Sequence, residues 1–100
     1  MKLSVIIPIY NEAATCSLLI EKVKSVPIQK QVIVVDDCST DGLGVILKEI
    51  DDIELIQHQV NRGKGSAVQS ALPHVKGDFV VLQDGDLEYN PADYEKMLNQ

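Results

Sequence analysis

Four apolar runs recur along the chain, at residues 3–10 (LSVIIPIY), 31–37 (QVIVVDD), 53–58 (IELIQH) and 78–86 (DFVVLQDGD). Three are rich in Val and Ile and nearly continuous rather than alternating, the pattern of strands covered on both faces. The run at 53–58 is more polar and belongs nearer a sheet edge. Between the runs, apolar positions fall at helical spacing. Asn11 is a good N-cap, Cys16, Leu19, Val23 and Val26 follow at intervals near three and four, and Pro27 closes the segment. A second helix is expected over 43–50 with Ile46, Leu47 and Ile50 inward. A third starts near Gly65 and Ser66, buries Ala67, Val68, Ala71 and Leu72, and ends around Pro73. A fourth opens with Asn90 as cap and Pro91 in its first turn, with Tyr94, Met97 and Leu98 as its apolar face.

The order β-α-β-α-β-α-β-α predicts right-handed crossovers and a parallel sheet with helices on both sides. Strands at 3–10, 31–37, 53–58 and 78–83 are expected in spatial order 3-2-1-4, with the reversal between the first and the fourth. The sequence stops inside the fourth helical pattern without a stop signal, so residues 1–100 are expected to be the N-terminal part of one longer domain.

Composition narrows the function classes. Fifteen acidic residues against nine basic ones give a net charge of −6, which disfavours non-specific binding to nucleic acid or to an anionic membrane surface. The core must be aliphatic, since there is no Trp, one Phe and three Tyr; stacking platforms for single-stranded nucleic acid are not expected. No apolar run approaches the ~20 residues of a membrane-spanning helix. The apolar start is interrupted by Pro8 and followed by Asn11 and Glu12, so it reads as a buried strand rather than a secretory signal. Cys16 and Cys38 form neither a disulfide framework nor a CxxC pair and read as reduced thiols of a cytoplasmic protein.

Ligands of open parallel sheets bind beyond the carboxyl ends of the strands, where strand order reverses. The polar residues gather there: Glu12 after the first strand, Asp36 and Asp37 with residues 38–42 after the second, residues 61–65 (NRGKG) after the third, and residues 83–88 (QDGDLE) after the fourth. Residues 39–42 alone read as turn chemistry. Carboxylates at two buried strand ends repel one another unless a cation or a donor-rich ligand joins them. Asp84 and Asp86, separated by Gly85 at a strand end, can converge on one hard cation such as Mg²⁺ or Mn²⁺, which leaves coordination sites for phosphate oxygens. Several other motifs fail. The stretch from Asp37 to Gly42 opens like an EF-hand loop but has Lys48 where a bidentate Glu is required. The pair Gly63 and Gly65 lacks the third small residue of a dinucleotide fingerprint, and Lys64 is not followed by Ser or Thr as in a phosphate-binding P-loop. His58 and His74 match no ligand pattern, and His74 reads as a helix-end surface residue.

Taken together, residues 8–12 (PIYNE), 35–42 (VDDCSTDG), 61–65 (NRGKG) and 83–88 (QDGDLE) resemble glycosyltransferase family 2 in order and spacing, over nearly the whole chain. Within the family they look most like dolichyl- or polyprenyl-phosphate sugar transferases. Cys38 stands where Gly is common, and Gly85 where Ala is common. The resemblance implies the α/β GT-A fold, a Rossmann-like nucleotide-sugar domain. It also implies transfer of a sugar from a UDP- or GDP-sugar, with inversion, to a polyprenyl phosphate or a glycan. By the same resemblance Pro8, Tyr10 and Glu12 line the base and ribose pocket. Val35 and Asp37 bracket the base, with Asp37 accepting from a ring N–H. Asp84, Gly85 and Asp86 hold metal and diphosphate, and Glu88 completes the metal's coordination. Arg62 and Lys64 either add positive charge there or form a solvated turn.

The acceptor-binding and acid/base residues of such an enzyme would lie beyond residue 100. The full-length protein would work in the cytoplasm, including at the cytoplasmic face of a membrane, and an open sheet edge would allow self-association. Two other readings compete: a half-domain that binds nucleotide without turnover, and a receiver-like signalling domain built on Asp36, Asp37 and Asp84. The latter lacks a Lys at a later strand end.

Overall fold

The computed structural model describes residues 2–83. Four strands, β1 (Leu3–Ile9), β2 (Lys30–Asp36), β3 (Glu54–Gln57) and β4 (Phe79–Leu82), form one sheet in the order β3-β2-β1-β4. All pairings are parallel, as the alternation of elements requires. Strands β1 and β2 pair along their full length, from Leu3 opposite Lys30 to Ile9 opposite Asp36. The more polar β3 lies at an edge, against Ile33 to Asp36 of β2.

The nearly continuous apolar runs of β1 and β2 are explained by helices on both faces, whereas β4, expected to be covered alike, lies at the other edge with Phe79, Val80 and Leu82 exposed. Val5, Ile7 and Ile9 of β1, with Val32 and Val34 of β2, face helix α1 (Cys16–Ser25) and helix α2 (Leu43–Lys48), whose Leu19, Ile20, Val23, Leu43 and Leu47 are buried against them. The alternate positions Ile6, Ile33 and Val35 face helix α3 (Lys64–Ala71). That helix buries only Ala67 and Ala71, and two small residues on one face let it lie close to the sheet. The α3-side core is therefore thin, and the α1/α2 side holds most of the apolar bulk.

Helix boundaries differ from expectation at three places. Asn11 is not the cap of α1. It has φ 52°, and its side-chain oxygen accepts from the Thr40 N–H at 2.8 Å. The helix starts at Cys16 instead, after a turn in which the N–H groups of Thr15 and Cys16 bond the Glu12 carbonyl. Its other end follows expectation, with Val26 extended ahead of Pro27. Helix α2 stops at Lys48 because the chain tightens into three-residue bonds, Glu49 N–H to Ile46 and Ile50 N–H to Leu47; Ile46 and Ile50 are only partly buried. After Ala71 the chain winds into a 3₁₀ turn over Leu72–His74, with Pro73 inside it. The change in residues per turn rotates Leu72 out of the core into solvent. The expected fourth helix, with Asn90, Pro91, Tyr94, Met97 and Leu98, lies outside the described residues.

At the amino ends of the strands a buried polar network holds the return into β4. The Ser4 hydroxyl donates to Gln31 Oε1 at 2.8 Å, and Gln31 Nε2 donates to Glu54 Oε1 and to the His74 main-chain carbonyl, both at 2.7 Å. The N–H groups of Lys76 and Gly77 close the network on Gln31 and Ser4.

Candidate functional site

Three loops leave the carboxyl edge of the sheet, and their own polar groups bind them together. The loop after β1 is tied to the loop after β2 by the Asn11 N–H donating to Ser39 Oγ at 2.9 Å, the Thr40 N–H donating to Asn11 Oδ1, and the Ala13 N–H donating to Asp41 Oδ2 at 3.0 Å. Asp41 also accepts from the Leu43 N–H at the start of α2. Asp36 accepts from the Ser39 N–H at 3.0 Å. The polar run 39–42 thus does the turn chemistry expected of it and also fixes the neighbouring loop. Cys38 occupies the left-handed region at φ 63°, which accounts physically for glycine being common at this place in the resembled family.

The loop after β3 is held by one carboxylate. Asp37 Oδ1 accepts from His58 Nδ1 at 2.8 Å and from the Arg62 N–H at 2.9 Å, and Asp37 Oδ2 accepts from the Gly63 N–H at 2.8 Å. Gly63 has φ 90° and ψ 166°, a backbone region essentially reserved for glycine, and this conformation turns its N–H toward Asp37. On the other side of the imidazole, His58 Nε2 lies 2.8 Å from Ser70 Oγ on α3. Burial alone would raise the Asp37 pKa, but the His58 hydrogen bond and the Arg62 and Gly63 amides outweigh it and hold the carboxyl below its usual value. An ionised carboxylate only accepts, so Nδ1 of His58 carries the proton in this contact.

His58 and Ser70 are the site residues that sequence reasoning missed. The signal was register: Asp36 is the partner of Gln57, so Asp37 and His58 stand side by side one residue past the ends of adjacent parallel strands.

The expected pocket residues are brought together unequally. Pro8 and Tyr10 lie on the α3 side of β1 and its exit, Pro8 half-buried and Tyr10 47% exposed. Glu12 is partly buried and accepts from the Thr15 hydroxyl at 3.2 Å. Val35 is fully buried in the α3-side core, so it supports this end of the sheet from beneath and has no surface with which to bracket a base. Asp37 is 4% exposed, a loop anchor as well as a candidate base contact. Arg62 and Lys64 are exposed at the entry to α3. The chain reaches the same edge along β4 at Gln83, whose N–H bonds the Ile6 carbonyl at 2.9 Å. Asp84, Gly85, Asp86 and Glu88 follow and lie outside the described residues. Among the described residues no group of three or more His, Cys, Asp or Glu side chains is arranged to hold a metal. The Asp37 carboxylate, already holding three hydrogen-bond donors, does not have the open oxygen set of a cation site.

A parallel sheet of this order, with helices on both faces and a polar carboxyl edge, is a Rossmann-like α/β architecture, and the solved structures it superposes on give it the GT-A fold. The chain belongs to glycosyltransferase family 2, whose profile, described as "Glycosyl transferase family 2", matches residues 4–100. Dodecaprenyl-phosphate galacturonate synthase of Rhizobium johnstonii is 30% identical to it, over 100% of this chain and 32% of that protein. Mannosyltransferase PcManGT from Pyrobaculum calidifontis, solved with GDP-Man and Mn²⁺, superposes with a TM-score of 0.81 at 30% identity, covering 91% of this chain and 29% of that one. TarS of S. aureus in complex with UDP gives 0.85 at 28% identity, covering 99% and 31%. The chain therefore spans about a third of the length of the relatives it matches.

Proposed function

We propose that this chain is the nucleotide-sugar-binding part of an inverting glycosyltransferase. The enzyme takes a sugar from a UDP- or GDP-sugar and transfers it to an acceptor, with a polyprenyl phosphate the favoured acceptor. The observation that carries the reading is the carboxyl edge itself: three mutually hydrogen-bonded loops, an ionised Asp37 at their centre, and Arg62 and Lys64 at the positive end of α3. Solved relatives carrying GDP-Man with Mn²⁺, and UDP, support the ligand class. A dodecaprenyl-phosphate relative supports the acceptor class.

In this reading Tyr10 and Pro8 flank the base, Glu12 lies toward the ribose, and Asp37 accepts a base N–H. Arg62 and Lys64 face the diphosphate, where exposed cations add to the field of the helix N-terminus. Asp84 and Asp86, with Glu88, are the carboxylates that would hold Mg²⁺ or Mn²⁺. Such an ion neutralises charge on a departing diphosphate. The acceptor oxygen attacks the anomeric carbon from the side opposite the diphosphate. An acceptor that is already an anionic phosphate needs no strong general base, and residues 1–100 alone would bind donor without turnover. The test is a transfer assay on the full-length protein with UDP- and GDP-linked sugars and a polyprenyl phosphate. Sugar-phosphate-lipid product with loss of nucleoside diphosphate is expected. Donor binding with no transfer to lipid phosphate or glycan would leave only the binding reading.

A further inference from the structure

Asp37 has about four lone-pair positions, two on each oxygen, and the fold has already assigned three of them. Among the described residues, Oδ1 takes His58 Nδ1 and the Arg62 N–H, and Oδ2 takes only the Gly63 N–H. From this asymmetry, and resting on the nucleotide-sugar reading above, we infer that Asp37 offers a base a single acceptor position, on Oδ2, and that His58, by filling Oδ1, makes the site select uridine over guanosine nucleotides.

The preference follows from the number of donors each base presents. Uracil presents one ring N–H between two carbonyls, which one oxygen satisfies. Guanine presents a ring N–H and an adjacent amino N–H, a pair that matches a carboxylate only when each oxygen has a place free. Against Asp37 the second guanine donor would meet Oδ1, whose positions are taken, and would be buried without a partner. An unpaired buried donor costs more than the bond it replaces is worth, and sites built on hydrogen bonds discriminate on this basis. Cytosine and adenine have no ring N–H to give. Solved relatives hold either GDP-Man or UDP, so family membership leaves the base open and the Asp37 environment decides it. His58 is itself held: its side chain is 7% exposed, and Nε2 is engaged by Ser70. It is a positioning residue, acting on the base through Asp37.

UDP and GDP titrated calorimetrically into the full-length protein with Mn²⁺ present test the inference. The wild type is expected to bind UDP at least about tenfold more tightly than GDP. His58→Phe empties a position on Oδ1 and should bring the ratio close to one. His58→Asn keeps an N–H donor on the same Cγ branch and should retain the preference. A merely structural role for His58 would weaken both nucleotides alike, leave the ratio unmoved in a folded His58→Phe protein, and overturn the inference. Should His58→Phe fail to fold by circular dichroism, the wild-type ratio and His58→Asn decide, and loss of preference in the latter overturns it. Wild-type affinity for GDP equal to or above that for UDP overturns the preference while sparing the nucleotide-sugar reading. Binding of neither nucleotide overturns both.

Discussion

Asp37 carries two loads, and a single substitution exposes both. Asp37→Ala removes the acceptor for three donors that are otherwise well paired, so a loss of roughly 2–4 kcal/mol of stability is expected, read by chemical denaturation. The same variant should bind nucleoside diphosphate more weakly without metal, as the loss of a base contact requires. Acid adds a second signature. Because the folded pKa of Asp37 lies below its unfolded value, the stability it contributes is present above about pH 4 and is lost as pH falls through the depressed value. Asp37→Asn has no such proton to take up and should show a flatter acid limb. At this scale the sequence was informative about kind and silent about partners. A carboxylate past a buried strand reads as functional, yet nothing local in residues 53–58 says that the His at their end will reach it. Val35 shows the converse, since a residue one position before a polar strand end can still point wholly into the core.

Strands β1 and β2 were legible because burial on both faces leaves an unmistakable apolar run, β4 by its apolar run although Phe79, Val80 and Leu82 are exposed, and the parallel order followed from alternation with helices. Helix ends were less legible, because tertiary hydrogen bonds overrode local preference. Asn11 has a capping side chain, but Thr40 claimed it, and α1 begins at Cys16. Leu72 has helical spacing, but the turn containing Pro73 changed the phase. The return into β4 gives a test at this scale. A Cβ on Gly77 would stand 2.6 Å from Ser4 Oγ and 2.8 Å from both the Lys2 carbonyl and the Ser4 nitrogen, and two of those three atoms are backbone, one within β1 and one just ahead of it. Gly77→Ala should therefore cost about 2 kcal/mol by strain, lowering the melting temperature. A neutral result would mean that the β4 connection is not anchored at Ser4.

Across the whole chain, the sheet order β3-β2-β1-β4 brings the exits of β1, β2 and β3 together at one edge, with Gln83 at the end of β4 on the same side. That convergence could be read from the sequence, because strand polarity and right-handed crossovers leave few alternatives. The hydrogen bonds joining the loops could not, since they depend on side-chain geometry among residues far apart in sequence. This edge is expected to bind a nucleoside diphosphate at two separable places, a base contact at Asp37 and a metal contact at Asp84 and Asp86. The most direct measurement is calorimetric titration of UDP and GDP into wild-type protein and Asp86→Asn, each with and without Mn²⁺. Two or three carboxylates leave much of an octahedral shell to water and phosphate oxygens, so metal and nucleotide should strengthen one another's binding in the wild type. Asp86→Asn should lose that reinforcement, keep the metal-free nucleotide affinity supplied through Asp37, and remain folded. Tight Mn²⁺ binding without nucleotide, or an Mn²⁺ effect on nucleotide affinity that survives intact in folded Asp86→Asn, would contradict it.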